Sequence, residues 1–423
     1  MYRVLIAIAA IAASLALAAC GGDDNGGGGA DIDAETLEPE QAEGASGDVA
    51  WCIGKDTTGA FQAGLDEFNK QNPDLQAELV ELPEAADQQR EQQVQRLRAE
   101  SPECDVLGMD VIWTAEYAGQ GWLYDLTPVV EAHEDEFIPS TVDSTEFDGQ
   151  FWGLPFNTNA GFLYYRTDQV DQPPESWEDV YQVAGEEDGL IYQGARYEGL
   201  TVNFLELLYS AGGSVLSEDG DDVEIDSDET REVLEFMAQG VEEGTVPEAN
   251  STYQEEESRR AFENGQATFM RNWPYAYALA TESDIANDFD IATFPSYGGA
   301  EGAGVLGGYN LGISSFSENP EGALALAEFL VTPEIQELMM VDASLPATVS
   351  EVYDSPKVKK ATPFADQLRT AVEQAQPRPV SPVYPQITEA IYENAFEAVN
   401  GRTSVDEAVT NMNDEIEEAQ ETF

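Results

Sequence analysis

The sequence predicts an α/β fold that opens with a parallel sheet and is built as two packed units. From residue 49 onward, strand-like and helix-like segments alternate in the order β-α-β-α-β. Such alternation indicates parallel strands joined by right-handed crossovers. The chain of 423 residues is also too long for one small core, which favours two units of ordinary size. In an open sheet of this kind, ligands bind beyond the carboxyl ends of the strands.

Five elements form the opening run: predicted strands at 49–55, 75–82 and 104–111, and predicted helices at 60–73 and 86–100. The strands are short apolar runs. The first helix is amphipathic and is stopped by Asn72-Pro73; its inward residues are Phe61, Leu65 and Phe68. The second helix is polar, and only Val94 and Leu97 point inward.

Later segments keep this pattern. Residues 162–166 (FLYYR) are strand-like, and a helix follows Ser176, which is a suitable N-cap because Asp179 stands three residues on. The acidic stretch 217–229 passes from a strand into a helix at Asp226 or Ser227. Its carboxylates invite a calcium-loop interpretation, but the ligand spacing of such a loop is absent, which favours a solvated hairpin and a helix cap. The C-terminal third is mostly helical, at 320–340 and 386–420.

The N-terminus combines one basic residue, a short apolar core and the sequence Leu17-Ala18-Ala19-Cys20. Small residues directly before a cysteine resemble the lipobox of bacterial lipoproteins, in which the sulfur is lipidated before cleavage. A transmembrane helix is the weaker alternative, because the apolar run is shorter than the ~20 residues that span a bilayer. We therefore expect a signal peptide at 1–19, lipidation at Cys20, and a disordered Gly- and Asp-rich tether at 20–48.

The two remaining cysteines, Cys52 and Cys104, favour a disulfide in an exported protein. A zinc site is disfavoured because two sulfurs and the single histidine, His133, cannot complete a tetrahedral shell. If the first three strands are ordered 2-1-3, the first and third are neighbours about 4.8 Å apart. That spacing suits the ~4.4–6.8 Å Cα separation of a disulfide.

The charge balance is strongly acidic, with 83 Asp and Glu against 18 Lys and Arg, a formal net charge of −65. Phosphate-bearing partners would be repelled over the whole surface, so nucleic acid and anionic substrates are disfavoured. Spread acid with scarce lysine fits a saline medium. It equally fits simple solubility at low ionic strength.

An aromatic cluster follows a predicted strand at Ala267 to Arg271, in the stretch MRNWPYAYAL. Pro274 suits the first turn of a helix, which puts Trp273 at the carboxyl end of a strand and the amino end of a helix. A Trp face there can stack on the C–H face of a sugar ring. Composition alone equally allows Trp273, Tyr275 and Tyr277 to be packing residues.

The stretch EESRRAFENGQATFMRNWPYAYAL resembles a signature of the extracellular solute-binding proteins of ABC-type sugar importers, especially their trehalose/maltose-binding branch. Four more blocks resemble that branch in the same order: CDVLGMDVIWTAEYAGQGWLYDL, NAGFLYYRTD with PPESWEDV, YEGLTVNFLELLYSAGG, and LGGYNLGIS with PRPVSPVYPQITEAI. The resemblance covers residues 49 to about 415. It implies a two-lobed, type II periplasmic-binding-protein fold with the ligand cleft between the lobes. The implied lobes are 49–155 with 296–345, and 156–295 with 346–423.

The resemblance also implies ligand contacts, carried over position by position: Asp110, Trp113, Trp273, Tyr275, Gly308, Tyr309 and Arg378. Each suits its role, since a carboxylate accepts hydroxyl donors and Arg378 offers a planar fork of donors. Gly308 would let a ring approach the backbone. Branch members often have Trp at the position of Tyr309, and Tyr and Asp at those of Asn157 and Asn159, so sugar binding is kept while the identity of the sugar is in doubt. Arg90 is a further candidate contact, with a surface helix residue as the equal alternative.

The implied function is a non-enzymatic, lipid-anchored receptor on the outer face of the cytoplasmic membrane. It would capture a neutral di- or oligosaccharide as a monomer, without cofactor or metal, and deliver it to the transmembrane subunits of an ABC permease. A secreted glycoside hydrolase is one alternative, although paired acids occur everywhere among 83 carboxylates and so discriminate nothing. The same fold binding a cation or a peptide is the other.

Overall fold

The structure is a computed structural model that describes residues 32, 34–217, 220 and 222–422. The predicted signal peptide at 1–19 and the lipidated Cys20 lie outside the described residues. Within the described part, no helix combines the length and the apolar character needed to cross a membrane.

Two larger sheets and one small hairpin hold the strands of the described chain. The strands are β1 Gly47–Gly54, β2 Leu75–Leu82, β3 Val106–Asp110, β4 Glu146–Phe147, β5 Gln150–Phe151, β6 Leu154–Asn159, β7 Phe162–Arg166, β8 Leu190–Ile191, β9 Phe269–Asn272, β10 Phe289–Ala292 and β11 Gly307–Ile313. The first sheet has the order β2-β1-β3-β11-β6, the second has the order β10-β7-β9-β8, and β4 pairs with β5.

The helices of the first half are α1 Ala60–Gln71, α2 Ala86–Arg98, α3 Thr114–Gly119, α4 Thr127–His133, α5 Pro139–Asp143, α6 Trp177–Glu186, α7 Glu198–Ser210 and α8 Asp228–Glu242. Those of the second half are α9 Glu255–Glu263, α10 Tyr275–Ala280, α11 Pro320–Leu330, α12 Pro333–Ala343, α13 Pro356–Ala361, α14 Ala365–Gln374, α15 Tyr384–Val399 and α16 Val405–Glu421. Short 3-10 turns include Pro39–Ala42 and Val111–Trp113.

The opening β-α-β-α-β run is confirmed, and β1 pairs in parallel with both β2 and β3 in the predicted 2-1-3 order. Outside that run the pairing is mixed: β8 pairs in parallel with β9, but most other pairs are antiparallel. Strand β11 runs antiparallel to both β3 and β6, and β7 runs antiparallel to β9 and β10. The reason is that the chain returns to the first sheet from the second, so β11 enters from the opposite end.

The chain changes sheets between β6, which pairs in the first sheet as far as Asn159, and β7, which begins at Phe162. It returns by β11. The exact lobe boundaries stay a prediction. Two of the predicted boundaries, at residues 155 and 346, do not coincide with the ends of elements or with the packing of the structure. Strand β6 continues past residue 155, and α13 and α14, beyond residue 346, pack on α12 and α5.

Part of the predicted tether is ordered. From Ala34 onward the chain packs on the fold: Leu37 is buried, and Thr36 Oγ1 donates to Asp125 Oδ2 at 3.0 Å. Asn319 Nδ2 also donates to the carbonyl of Ser46 at 3.1 Å. The expectation of disorder to residue 48 is therefore wrong for residues 34–48. One buried leucine and side-chain bonds from distant residues anchor a segment whose own composition is polar.

The predicted disulfide between Cys52 and Cys104 is present, with a Cα separation of 5.6 Å. The sequence predicted that Cys104 lies on the third strand, but it lies two residues before β3 begins. The Asp105 amide donates to the Ala50 carbonyl at 3.0 Å, and its carboxylate accepts from the Ala50 amide at 2.8 Å. These two bonds hold Cys104 beside β1.

The predicted N-caps also form. Ser176 accepts a hydrogen bond from the Asp179 amide at 3.1 Å, and Ser227 accepts one from the Thr230 amide at 3.2 Å. Before Ser227, an antiparallel bridge joins Leu216 to Val223, as expected of a hairpin. Residues 218, 219 and 221 of this acidic stretch lie outside the described part.

Candidate functional site

A cavity of about 190 Å³ lies where the ends of strands in the first sheet face the amino ends of several helices. Strands β1 and β3 contribute their last residues, Gly54 and Asp110, as expected for ligand sites beyond carboxyl ends. The amino ends of α2, α7 and α9 form much of the remaining wall. Eight of the ten predicted contacts line this cavity: Asp110, Asn157, Asn159, Trp273, Tyr275, Gly308, Tyr309 and Arg378.

Arg378 ties the cavity wall together. Its side chain is buried, its Nη2 donates to Asp110 Oδ1 at 2.7 Å, and its Nη1 donates to Glu198 Oε1 at 2.7 Å. Burial alone would lower the pKa of this guanidinium, but the two carboxylates raise it. Its Nε is buried and has no hydrogen-bond partner among the described residues. Arg378 is therefore a fixed cation whose Nε–H has no partner within the described protein.

Glu198, the first residue of α7, is the buried counterpart of this arginine. Its Oε1 also accepts from Tyr384 Oη at 2.7 Å, and its Oε2 accepts from Thr388 Oγ1 at 2.7 Å. Burial raises the pKa of Glu198 to about 7, and the charge of Arg378 opposes that rise. Its amide donates to Asp87 Oδ2 at 3.3 Å, and burial raises the pKa of Asp87 to about 6.

Two asparagines of β6 present free acceptors. The Oδ1 atoms of Asn157 and Asn159 are buried and have no hydrogen-bond partner in the described chain. Asn157 is only 5 % exposed. A buried polar atom left without a partner costs about 1–3 kcal/mol, so these atoms suit a ligand that donates hydrogen bonds.

Trp273 occupies the predicted junction, after β9 ends at Asn272 and before α10 begins at Tyr275. Its amide donates to Asn272 Oδ1 at 2.8 Å, and its carbonyl accepts from Tyr164 Oη at 2.7 Å. The ring is half-buried, and the Arg271 guanidinium lies 3.9 Å from its centroid. Trp273 thus borders the cavity rather than filling a core. Its use as a stacking platform stays a prediction.

The two tyrosines of the wall are held by hydrogen bonds. Tyr275 Oη donates to Glu256 Oε1 at 3.0 Å, and Tyr309 Oη donates to Gln89 Oε1 at 3.0 Å. Burial raises the pKa of both phenols, so each stays a neutral donor. Their rings therefore have defined positions in the wall.

Gly308 has a structural role that the sequence did not reveal. Its φ is +125°, and a Cβ there would overlap the Asn157 carbonyl oxygen and lie 2.7 Å from Thr158 Cα. The register between β11 and β6 shifts immediately afterwards, between Tyr309 and Asn310. The glycine is thus required by the neighbouring strand, whether or not a ligand also approaches it.

The structure places the other two predicted contacts elsewhere. Trp113 is 2 % exposed and stacks on Tyr117, with ring centroids 6.1 Å apart. Arg90 Nε donates to Glu116 Oε2 at 2.6 Å. Both residues line a second cavity of about 260 Å³, which shares Glu198 with the first. Trp113 points away from the first cavity because it ends a 3-10 turn. Arg90 points away from that cavity because it lies on the face of α2 that contacts Glu116 of α3.

Sequence reasoning missed several residues of this region, chiefly Glu198, Glu206 and Arg271. The clearest available signal was in α7, where two carboxylates eight residues apart interrupt an apolar helix. Glu198 pairs with Arg378, and Glu206 pairs with Arg271. Among the described residues no group of three or more His, Cys, Asp or Glu is arranged to hold a metal ion.

Comparisons with known proteins agree with one another. Residues 54–337 match the family model described as bacterial extracellular solute-binding protein. A probable ABC transporter-binding protein of Deinococcus radiodurans is 30% identical over 375 residues, covering 84% of this chain and 88% of that protein. A maltotriose-binding protein of Pyrococcus abyssi is 23% identical over 339 residues, covering 76% of this chain and 70% of that protein.

Among solved structures, maltose-bound MalE3 of T. maritima has a TM-score of 0.83 and 35% sequence identity, and the match covers 89% of this chain and 100% of that one. The two-lobed fold expected from the sequence is thereby confirmed. With a family model matched over most of the chain and a cavity at the expected strand ends, this chain belongs to the bacterial extracellular solute-binding proteins of ABC transporters.

Proposed function

We propose that this protein captures a neutral di- or oligosaccharide outside the cell and delivers it to the transmembrane subunits of an ABC permease. One observation carries the proposal. One cavity is lined by Trp273, which is half-buried, and by three residues that each have a buried polar atom without a partner in the described chain: Asn157 Oδ1, Asn159 Oδ1 and Arg378 Nε. The solved relative from T. maritima holds maltose, and the P. abyssi relative is named for maltotriose.

The chemistry of a sugar matches these groups. A pyranose has an apolar C–H face that stacks on an indole and a rim of hydroxyls that both donate and accept. Asn157 and Asn159 Oδ1 would accept from hydroxyls on one edge. Arg378 Nε would donate to a hydroxyl or ring oxygen. Pairing these atoms with a ligand removes the cost of leaving them buried and unbonded.

A glycoside hydrolase needs one carboxylic acid that can give up a proton and a second carboxylate on the other side of the bond. Asp110 and Glu198 are both held by Arg378, and Tyr384 and Thr388 also engage the two oxygens of Glu198, so neither residue has a carboxyl group free of protein partners. That arrangement supports binding without catalysis. The relatives described above are binding proteins as well.

A cation or peptide ligand is the remaining alternative, since seven carboxylates and two cations line the cavity. Four of the carboxylates already have cationic partners within the protein. Glu84 pairs with Lys55, Asp110 and Glu198 pair with Arg378, and Glu256 pairs with Arg259 and Arg260. This internal pairing supports a neutral ligand.

The proposal includes the site of action. Cleavage before Cys20 and its lipidation would hold the protein as a monomer at the outer face of the cytoplasmic membrane. The tether would begin at Cys20 and end before Ile32 and Ala34, the first described residues that pack on the fold. Mass measurement of the mature protein, with and without release of the lipid, tests this part.

Thermal unfolding with maltose, maltotriose and trehalose tests the proposed ligand class, with spermidine and a tripeptide as the alternative ligands. A ligand present at 100 times its Kd adds about 2.7 kcal/mol to the free energy of unfolding. We expect stabilisation by at least one sugar and none by spermidine or peptide. Stabilisation by spermidine alone, or steady release of glucose from a bound disaccharide, would contradict the proposal.

A further inference from the structure

A guanidinium that lies beneath the ring of Trp273 belongs to a buried ion pair. The side chains of Arg271 and Glu206 are each 2% exposed. Arg271 Nε donates to Glu206 Oε2 at 2.8 Å, its Nη2 donates to Oε1, and its Nη1 donates to Gln193 Oε1 at 3.0 Å. With the guanidinium 3.9 Å from the indole centroid, one side of the Trp273 ring is already occupied by a fixed cation.

The surroundings leave this pair little room to move. Gly161 lies where the chain passes from β6 to β7, and a Cβ there would lie 2.6 Å from Glu206 Oε1 and 2.7 Å from Arg271 Nη2. Gln193 is held in turn, because its Nε2 donates to Ser258 Oγ at 2.9 Å. The backbone crossing between the two sheets therefore closes over the ion pair and fixes the plane of the guanidinium.

The ring itself is confined at its edge. A Cβ built on Gly307 would lie 3.1 Å from Trp273 Cη2, so the indole nearly touches the backbone of β11. The guanidinium beneath and β11 at the edge together determine how the ring faces the cavity. A platform fixed in this way loses little conformational entropy when a ligand stacks on it.

The same cation affects which ligands the ring can accept. Tyrosines and carboxylates around a tryptophan would otherwise suit an organic cation, which is attracted by the electron density of an aromatic face. Arg271 already occupies one face of the ring and draws on that density. A second cation on the ring is therefore disfavoured, whereas the largely dispersive contact of a neutral sugar face is retained.

We infer that Arg271, held by Glu206, is a positioning and specificity-determining residue of the ligand site. It fixes the plane of the Trp273 ring. It also makes the accessible face of that ring bind a neutral sugar in preference to an organic cation. The inference rests on the proposed sugar-binding function.

The test removes the pair without leaving a single buried charge. The double variant Glu206→Met with Arg271→Met replaces both partners by apolar side chains of similar length, an exchange that is often neutral or stabilising for buried pairs. Arg271→Lys keeps the charge but loses the planar fork. Calorimetry with maltose, maltotriose, trehalose and choline measures affinity. Near-ultraviolet circular dichroism, compared with Trp273→Phe, reports how firmly the ring is held.

In the folded double variant we expect the Trp273 dichroism to be lost, sugar affinity to fall at least 10-fold, and choline affinity to rise at least 10-fold. Arg271→Lys should weaken sugar binding at least 5-fold. If the double variant does not fold, the sugar affinity of Arg271→Lys tests the inference in its place. Sugar affinity within twofold of wild type in a folded variant overturns this inference alone. A wild-type protein that binds choline but none of the sugars overturns the proposed function as well.

Discussion

Gly308→Ala is the substitution whose cost the structure specifies most sharply. Gly308 has a φ of +125°, and the added Cβ would overlap the carbonyl oxygen of Asn157 and lie 2.7 Å from Thr158 Cα. Both obstacles are backbone atoms of β6, which cannot rotate away as a side chain could. Either the strands separate or the register between β11 and β6 changes.

The magnitude follows from two contributions. Placing a side chain at a positive φ costs about 1–2 kcal/mol, and forcing extra volume into a packed site costs about 1–3 kcal/mol. We therefore expect Gly308→Ala to lower the free energy of unfolding by about 2–5 kcal/mol. Sugar affinity should fall too, because Asn157 and Tyr309 lie on either side of the overlap.

Gly401→Ala is the matched control. Gly401 has a φ of +66°, and nothing lies within 4 Å of its Cβ position, so only the conformational cost applies. Urea unfolding followed by tryptophan fluorescence gives both free energies, provided the slope with denaturant is unchanged. If Gly308→Ala costs no more than Gly401→Ala, the overlap with β6 is not real and the geometry assigned to this wall is wrong.

Two further predictions concern stability. Reduction of the Cys52–Cys104 disulfide, which closes a sequence separation of 52 residues, should lower the free energy of unfolding by about 4 kcal/mol; unfolding with and without reductant measures this, and two free thiols in unreduced exported protein would contradict the bond. Glu198 has a pKa raised to about 7, so the folded state keeps a proton that the unfolded chain releases near pH 4.5. The stability from that proton is present below about pH 4.5 and is lost as the pH rises through about 7. Glu198→Gln should therefore reduce the loss of unfolding free energy between pH 5 and 7.5 by about 2 kcal/mol, and an unchanged slope would show that Glu198 is already ionised at pH 5.

Local patterns in the sequence were sufficient for much of the fold. Short apolar runs identified β1 to β3, the spacing of inward residues identified α1 and α2, and the 2-1-3 order made the Cys52–Cys104 bond geometrically possible. The antiparallel entry of β11 was not predictable in that way. It depends on the chain leaving the first sheet and returning about 150 residues later, which no local pattern records.

Sequence reasoning identified cavity residues that lie at strand ends. It did not identify the buried charged residues beside the cavity. Asp110 is the last residue of β3 and Trp273 directly follows β9, so their placement followed from strand geometry. Glu206 and Arg271 carry charges that sequence reasoning assigns to the surface, because charged side chains are almost never buried unless paired. Pairing between residues 65 positions apart is visible only in three dimensions.

Trp113 is a predicted contact whose position the sequence spacing did not indicate. It lies three residues after Asp110, but the intervening 3-10 turn rotates its side chain onto Tyr117 and into the second cavity. Because of this short turn, Asp110 lines the first cavity and Trp113 lines the second.

Calorimetric titration of maltose, maltotriose and trehalose into the wild type and Trp273→Ala tests the central claim most directly, with the fully buried Trp152 as the control position. We expect one sugar to bind the wild type and to bind Trp273→Ala more than 10-fold more weakly, a difference above ~1.4 kcal/mol. Trp273→Ala should cost clearly less stability than Trp152→Ala, for which about 3–5 kcal/mol is expected. Unchanged sugar affinity in a folded Trp273→Ala protein, or no sugar binding by the wild type, would contradict the account.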